Sequence, residues 1–349
     1  MTTSGPTVSG TVLVLTGRFD PTADLVVEEL NRRAVPVFRT DVADFPLRLS
    51  LAARLGGRTE EAGRAGEGGR AGEGGHAAGK AWSGTLRTGR RTLDLRDVRS
   101  VYYRRPARPR FPDGMSPDAR RVAEREARRG FGGLLAALPV RWLPPPGRAA
   151  DAEYKPLQLR VAAESGLSVP RTLITNDPGA AREFGEEAGG RVVFKPFTPV
   201  RGAVGGRSAA VYTSIVGPAE LGHPDVATTA HLFQEWVPKA YEVRLTAVGG
   251  RLFAAEIHTD SPAGHVDWRS DYDSHRYRLC EPPPAVAAGV RRMMDTLGLP
   301  YGAFDFVVTP EGRWCFLEIN PSGQFGFVEQ ATGLPITAAV ADWLEGKGT

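Results

Sequence analysis

One stretch near the end of the chain constrains its folding more than any other: residues 316–324, which read FLEINPSGQ. The apolar run AFDFV precedes it at residues 303–307, and TPEG at 309–312 is a turn signal between the two. Two apolar runs joined by such a turn predict a β-hairpin. This hairpin carries acidic residues inside otherwise apolar strands, which is unusual for a solvated surface.

The register of the predicted hairpin decides which of its side chains meet. If Val308 pairs with Arg313, then Asp305, Glu318 and Asn320 share one face, because side chains alternate along a strand. Diagonal neighbours on such a face lie about 7–8 Å apart, within reach of one shared cation. Two carboxylates and an amide oxygen suit Mg²⁺, which completes its shell with phosphates and water. The alternative is an exposed hairpin that carries acids by chance; we favour the metal site.

Length and composition indicate a globular protein with several parts. A chain of 349 residues, 41% of them hydrophobic, predicts two or three subdomains around a shared cleft. No apolar run is long enough to cross a membrane and the N-terminus lacks a signal peptide, so we expect a cytoplasmic protein. Cys280 and Cys315 fit neither a disulfide framework nor a zinc motif, and we interpret both as inert strand residues.

The charge distribution does not indicate nucleic-acid binding. The net charge is +4, but the arginines are spread along the chain without an aromatic-interleaved basic motif. Only five of the 44 basic residues are lysines, which makes each lysine informative. Lys155, Lys195 and Lys239 fall inside motifs with candidate chemistry. Lys80 lies in a glycine-rich insert and Lys347 is near the C-terminus.

The chain is organised around one low-complexity insert and one linker. Residues 11–100 read as a small α/β unit, interrupted at 56–79 by a glycine-rich insert that we interpret as a mobile surface segment. A helix is predicted from Ser116 to about Leu138, and PPPG at 144–147 is a linker. Beyond it strands alternate with helices, including one strand over 209–216 and a hairpin over 241–258.

A lysine followed by glycines is a candidate anion site. Lys195 ends a buried strand, and Gly202, Gly205 and Gly206 follow in a loop that also contains arginines. Glycines allow backbone N–H groups to approach an anion closely. The motif predicts a phosphate-binding loop, and the alternative is an ordinary glycine-rich hairpin.

Further candidates follow along the chain. The stretch QEWVPK at 234–239 ends a strand at a proline, where exposed backbone groups can pair with a purine edge. Glu242 and Arg244 share a strand face, and they could bind ribose and phosphate, or pair with each other on a solvated face. Arg269 could contact a carboxylate or a transferred phosphoryl group, or pair with Asp267.

The order of these motifs over residues 150–345 resembles that of the ATP-grasp superfamily. The stretches YYRRP at 102–106 and AEYKPLQL at 152–159 are similar to those of the ATP-grasp peptide maturases, the microviridin-type ligases that make graspetides. The resemblance implies an α/β (α+β) ATP-grasp fold in three parts. These are an N-terminal pre-ATP-grasp domain at 1–148 with its insert at 56–80, a central subdomain at 149–235 with the glycine-rich loop, and a C-terminal subdomain at 236–349 with the Mg²⁺ site.

The same resemblance implies residue roles. The nucleotide would be bound by Lys155, Lys195, Gly202, Gly205, Gly206, Glu235, Val237, Lys239 and Glu242. Lys155 and Lys195 would contact the phosphates, Glu235 and the Val237 backbone the adenine, and Glu242 the ribose. Mg²⁺ would be bound by Asp305, Glu318 and Asn320. Arg244 and Arg269, with Lys195, would be the catalytic residues that stabilise an acyl phosphate and its departing phosphate.

The activity implied is an ATP-dependent ligase with Mg²⁺ as cofactor. It would activate Asp or Glu side chains of a ribosomally made precursor peptide, with leader and core, and form ω-ester or ω-amide macrocycles. We expect a homo-oligomer, a dimer, with no nucleic-acid or membrane partner. One alternative is a ligase that joins an amino acid to a small molecule or protein tail. Another is a non-catalytic nucleotide-binding protein, which the complete lysine and metal set disfavours.

Overall fold

The computed structural model describes residues 10–56, 81–198, 200–204, 207–211, 213–261, 264, 266, 268 and 275–347. Almost all of the predicted insert at 56–79 lies outside these residues. The chain forms two compact units, of which unit 1 comprises Met1–Pro146 with Val340–Thr349 and unit 2 comprises Gly147–Ala339. None of the helices in the described part of the chain has the length and apolarity needed to cross a membrane. The division of residues 149–349 into two subdomains stays a prediction.

Unit 1 is built on a parallel sheet. Its elements are β1 (Thr11–Leu15), α1 (Pro21–Arg32), β2 (Val37–Thr40), β3 (Leu49–Leu55), β4 (Trp82–Thr88), β5 (Thr92–Asp94), β6 (Val98–Tyr103), α2 (Pro117–Glu126), α3 (Gly133–Ala136) and β7 (Arg141–Leu143). The parallel sheet has the order β2-β1-β6-β7, and β3-β4-β5 form an antiparallel sheet. Helix α1 begins where it does because Asp20 accepts a hydrogen bond from the Ala23 N–H and Pro21 occupies the first turn.

The helix predicted from Ser116 to Leu138 is interrupted. Residues Ala127–Gly132 form a π-helix between α2 and α3. The wider turn adds one residue to the helical repeat, and Phe131 within it is buried in the core of unit 1. Periodicity alone does not detect this insertion, because the flanking segments keep their helical spacing.

Unit 2 contains two larger antiparallel sheets. Its elements are α4 (Pro146–Ala152), α5 (Lys155–Glu164), β8 (Thr172–Thr175), α6 (Pro178–Glu187), β9 (Val192–Lys195), β10 (Val200–Val204), β11 (Arg207–Val211), β12 (Ser214–Val216), α7 (Pro218–Leu221), β13 (His231–Glu235), β14 (Tyr241–Val248), β15 (Arg251–Thr259), β16 (His275–Cys280), α8 (Pro284–Leu297), β17 (Tyr301–Val308), β18 (Trp314–Asn320), α9 (Gly326–Thr332) and α10 (Ile336–Glu345), which ends in unit 1. One sheet has the order β12-β9-β13-β8 and the other β16-β15-β14-β17-β18, while β10 and β11 form a separate hairpin.

The single strand predicted over 209–216 is wrong. Strand β11 pairs with β10, whereas β12 pairs with β9 in a different sheet. One continuous strand cannot pair in both sheets, so the segment forms two strands instead of one. The predicted hairpin over 241–258 is confirmed as β14 and β15.

The five-stranded sheet has one apolar face, which we name the core face. It carries Val243, Leu245, Phe304, Phe306 and Phe316, all nearly inaccessible to solvent. These side chains belong to the same cluster as the buried apolar residues of α5 and α8. The opposite face, which we name the site face, carries the alternate residues of the same strands.

Candidate active site

The site face brings the acidic residues of the hairpin together. Asp305 on β17 is the direct cross-strand partner of Glu318 on β18, and Ala303 is the partner of Asn320. Direct partners in an antiparallel pair project to the same face. Asp305, Glu318 and Asn320 therefore share one face, whereas the roles predicted for them stay predictions.

A β-bulge produces this arrangement. Val308 pairs with Trp314, not with Arg313, and the register then shifts between Asp305 and Phe306. The predicted pairing was therefore wrong, although it placed Glu318 on the correct face. Without the extra residue of the bulge, Glu318 would lie opposite Phe304 and point towards the core. The bulge therefore places Glu318 of this otherwise apolar strand on the site face.

Arg244 is the central cation of the site face. Its Nη1 donates to Oδ1 of Asp305 at 2.7 Å and its Nη2 donates to the carbonyl of Gln324 at 2.9 Å. Arg244 is 4% and Asp305 2% exposed, so this ion pair is almost fully desolvated. The guanidinium also lies 5.9 Å from the ring centre of Trp268. Burial of a charge is unfavourable unless it is paired, which explains why this buried guanidinium lies against a buried carboxylate.

The turn after β18 leaves room for that guanidinium only because it contains a glycine. A β-carbon added at Gly323 would lie 2.8 Å from Nη2 of Arg244 and closer still to the side chain of Ala303. The Tyr301 hydroxyl donates to the Gly323 carbonyl at 2.7 Å, and this hydrogen bond connects the turn to β17. The PSG sequence predicted a turn, but its contact with Arg244 is visible only in the fold.

The second carboxylate is paired with a lysine from another element. Nζ of Lys155, at the first turn of α5, lies 2.5 Å from Oε2 of Glu318. Asn320 Nδ2 donates to the other oxygen, Oε1, at 3.2 Å. Sequence separation of 163 residues hides this pair from any local pattern. The lysine was nevertheless identified by its rarity in an arginine-rich chain.

Glu242 and Lys239 form a third ion pair. Their side chains are in direct contact and both are almost fully buried. Lys239 also lies 5.7 Å from the ring centre of Trp236. Arg244, the residue considered as a partner for Glu242, pairs with Asp305. Glu242 stands two residues from Arg244 on β14, so both remain on the site face.

An apolar cluster borders these charges. Val237, Val307 and Cys315 are buried together, and Leu317 packs against them. Burial raises the pKa of the Cys315 thiol to about 11, while the nearby charges of Arg313 and then Lys195 lower it. This cysteine therefore stays protonated at neutral pH, as an inert strand residue should.

Cys280 lies on the core face of β16, since it pairs with Ala254. Burial raises the pKa of its thiol to about 12, with a further contribution from Glu256. Both cysteines lie in strands, as predicted, and their inertness stays a prediction.

The remaining predicted site residues fall into two groups, those that the structure describes and those that lie outside the described residues. Lys195 ends β9 and pairs with Leu232 in the sheet, and Glu235 accepts a hydrogen bond from the Arg171 N–H at 3.2 Å. Gly202 lies in β10, so the segment after Lys195 is in part a hairpin. Gly205, Gly206 and Arg269 lie outside the described residues.

The donor set fits Mg²⁺ as an ion shared with a nucleotide. In the described part of the chain, no three His, Cys, Asp or Glu residues are grouped so that they could hold a metal. The candidate set is instead two carboxylates and one amide, those of Asp305, Glu318 and Asn320. Such hard oxygen donors suit Mg²⁺ when phosphate oxygens and water complete its shell. A closed site made only of protein ligands does not fit these residues.

Comparison with solved structures identifies the class of protein. No protein-family model matches the chain. A RiPP-associated ATP-grasp ligase from Chryseobacterium gregarium, in complex with ADP and a leader and core peptide, has a TM-score of 0.84 and 26% identity over 97% of this chain and 98% of that one. RiPP denotes a ribosomally synthesised and post-translationally modified peptide. The fold is an ATP-grasp fold and the protein is an ATP-grasp ligase, so the predicted fold class and enzyme class are confirmed.

Two macrocyclases from Microcystis aeruginosa MRC define the family. MdnC, bound with precursor peptide MdnA, is 29% identical with a TM-score of 0.80, covering 96% of this chain and 99% of its own. MdnB is 30% identical with a TM-score of 0.76 over 96% and 99% of the two chains. The chain belongs to this family of RiPP ATP-grasp ligases and macrocyclases. The resemblance to ATP-grasp peptide maturases is confirmed.

Proposed function

We propose that this protein uses ATP and Mg²⁺ to activate Asp or Glu side chains of a ribosomally made precursor peptide and to close ω-ester or ω-amide macrocycles. The observation that carries the proposal is the similarity to the macrocyclase MdnB, which extends over 96% of this chain and 99% of that one. The site face adds a chemical reason. It concentrates carboxylates, lysines and an arginine on one side of a sheet whose other side is apolar along β14, β17 and β18.

The nucleotide would bind with its phosphates towards the lysines. Lys155 lies beside Glu318, and Lys195 lies near Cys315 at the edge of the apolar cluster. The adenine would pack on that cluster beside Glu235 and Val237, and Glu242 would accept hydrogen bonds from the ribose. Lys239 would support Glu242, with which it is already paired. Gly202, Gly205 and Gly206 would contribute backbone N–H groups to the phosphates.

Asp305, Glu318 and Asn320 would hold Mg²⁺, which when bound neutralises charge on the transferred phosphoryl group. Arg244 would attract the reacting carboxylate or the phosphoryl oxygens through the positive charge of its guanidinium. Its contacts with Asp305 and Gln324 hold it in place before the reaction, so little reorganisation is needed when charge develops. Arg269 would stabilise the same oxygens.

The chemistry would proceed in two steps. A peptide carboxylate oxygen attacks the γ-phosphorus of ATP, the bond to the β-phosphate oxygen breaks, and ADP leaves. A Ser or Thr hydroxyl, or a Lys amine, of the same peptide then attacks the acyl carbon of the resulting acyl phosphate. It loses its proton and inorganic phosphate departs. Each ring therefore consumes one ATP and removes the elements of one water from the peptide.

Mass spectrometry tests this proposal directly. A precursor peptide rich in Thr, Ser, Asp and Glu, encoded beside the gene, is incubated with the enzyme, Mg²⁺ and ATP, with ATP omitted as control. We expect successive losses of one water, each accompanied by one ADP. A mass gain equal to an added free amino acid would contradict macrocyclisation and would support the amino-acid ligase instead.

The setting of the reaction is part of the proposal. The protein would act in the cytoplasm, where ATP and newly made peptides meet, and would bind both the leader and the core of its precursor. We expect it to be a homodimer without nucleic-acid or membrane partners. Light scattering of the purified protein measures the oligomeric state, and a monomer mass would contradict the dimer.

A further inference from the structure

Gln158 is a buried polar residue to which none of the roles above has been given. It lies on α5, three residues after Lys155, and is 4% exposed. Its Nε2 donates to the Ile319 carbonyl at 3.0 Å and to the Ala152 carbonyl at 2.6 Å. Its Oε1 accepts from the Ile319 N–H at 3.1 Å. The amide group therefore binds both backbone groups of one residue on β18.

The position of Ile319 explains why its contact with Gln158 matters for the site. Ile319 lies between Glu318 and Asn320, the two members of the metal set that β18 provides. Strand β18 is at the edge of the five-stranded sheet, so its outward backbone groups lack a neighbouring strand. The Gln158 side chain takes the place of that strand for Ile319. A buried N–H and C=O without such partners would be strongly unfavourable.

The bulge makes this support necessary. Glu318 faces Asp305 only because the pairing of β17 and β18 shifts by one residue between Asp305 and Phe306. A slip of one residue in β18 would turn Glu318 towards the core face. Gln158 binds β18 immediately after the bulge, on the side away from β17. It therefore restrains the outer edge of β18 after the bulge, whereas before the bulge the Ser168 carbonyl accepts a hydrogen bond from the Phe316 N–H at 2.8 Å.

We propose that Gln158 is a positioning residue that fixes the backbone of β18, so that Glu318 and Asn320 keep the geometry needed for the Mg²⁺–nucleotide complex. The inference rests on the proposed function of the site face. Because Lys155 and Gln158 are on one helix at a spacing of three residues, the same helix also sets the distance between Lys155 and Glu318. Residues that orient metal ligands typically change metal affinity or activity about 10- to 100-fold when removed.

The test uses Mn²⁺ as a spectroscopic probe in place of Mg²⁺. Binding of Mn²⁺ in the presence of ADP is followed by electron paramagnetic resonance for the wild type, Gln158→Leu and Gln158→Glu. Val161→Ala is the matched control, because it removes a buried apolar group from the same helix and the same cluster as Ile319, but no polar group that could hydrogen-bond to β18. Hydrogen exchange of the Ile319 amide and the kcat and KM for the precursor are measured in parallel.

We expect Gln158→Leu to weaken Mn²⁺ binding about tenfold, to lower kcat similarly, and to leave KM for the precursor nearly unchanged. Gln158→Glu, which keeps an acceptor for the Ile319 N–H, should lie between Gln158→Leu and the wild type. It also serves as the test if Gln158→Leu does not fold. Val161→Ala should lower stability but bind Mn²⁺ like the wild type. The Ile319 amide should exchange faster in Gln158→Leu only.

Three outcomes would overturn the inference in distinguishable ways. If folded Gln158→Leu, or Gln158→Glu where Gln158→Leu does not fold, binds Mn²⁺ and ADP as tightly as the wild type, Gln158 has only a structural role and the proposed function is untouched. The inference also fails if Val161→Ala weakens binding as much as the Gln158 variants do. If the wild type itself does not bind Mn²⁺ with ADP, the proposed function fails and the positioning role fails with it.

Discussion

The two faces of the five-stranded sheet are made by the same strands and serve opposite purposes. On the core face, Phe304, Phe306 and Phe316 pack with aliphatic residues of two helices and have almost no contact with solvent. On the site face, the neighbouring residues Asp305 and Arg244 are equally buried but charged. Apolar burial stabilises the fold, whereas buried charges do so weakly or not at all. The comparison teaches that alternate residues of one strand can determine stability and function separately.

The variant Asp305→Ala should have the largest effect, because it should lower both the stability of the protein and its turnover. It leaves Arg244 buried without its carboxylate, which we expect to lower the free energy of unfolding by about 3–5 kcal/mol. It also removes a proposed Mg²⁺ ligand, so ADP release should fall at least about 100-fold. Chemical denaturation and a coupled ADP assay measure the two losses. Asp305→Asn, which keeps a hydrogen-bond acceptor, should recover part of the stability and none of the turnover.

The adjacent variant Phe306→Ala tests the other face. Removing this fully buried ring should lower the free energy of unfolding by about 3–5 kcal/mol through the cavity that it leaves. The kcat of the fraction that remains folded should stay within about twofold of the wild type, since the ring does not reach the site face. Unfolding curves and kcat at a temperature where the variant is folded check this. A loss of kcat comparable to that of Asp305→Ala would break the separation of the two faces.

Ligand binding should stabilise the protein through the site face alone. At about 100 times the dissociation constant, ADP with Mg²⁺ should raise the free energy of unfolding by about 2.7 kcal/mol. Mg²⁺ without nucleotide should have little effect, because the donor set needs phosphate oxygens to complete it. Thermal unfolding with each addition measures this. Full stabilisation by Mg²⁺ alone would indicate a closed metal site and contradict the description given above.

Gly323→Ala should have the smallest effect. The new methyl group would press on the Cβ of Ala303 and on the Arg244 guanidinium, so both the turn and the guanidinium must shift, and we expect turnover to fall about tenfold, equivalent to about 1.4 kcal/mol. Stability should change less than in the Phe306 variant. Gly147→Ala is the control, because a methyl group there meets open space. If steady-state kinetics show equal activity for both variants, the guanidinium position is not critical.

The sequence predicted some features of the fold and of the site, and it could not predict others. Periodicity predicted the hairpin over 241–258, but it joined β11 and β12 into one strand. Rare lysines and the EINPSG stretch identified Lys155, Glu318 and Asn320. The bulge at Asp305 and Phe306 was not predictable, since an extra residue changes pairing without changing composition. The contacts of Gln158 with Ile319 and of Gly323 with Arg244 join residues that are distant in sequence, so they required the fold.

The most direct test of the central claim is precursor-dependent ADP release by Glu318→Gln at an equal concentration of folded enzyme. The Glu318 side chain is 18% exposed, so loss of its charged pairing with Lys155 should lower the free energy of unfolding by about 1–3 kcal/mol. The substitution keeps the size of the side chain and removes the charge proposed to hold Mg²⁺. We expect ADP release to fall at least about 100-fold. Near-wild-type ADP release by the folded variant would contradict the assignment of the catalytic machinery to the site face.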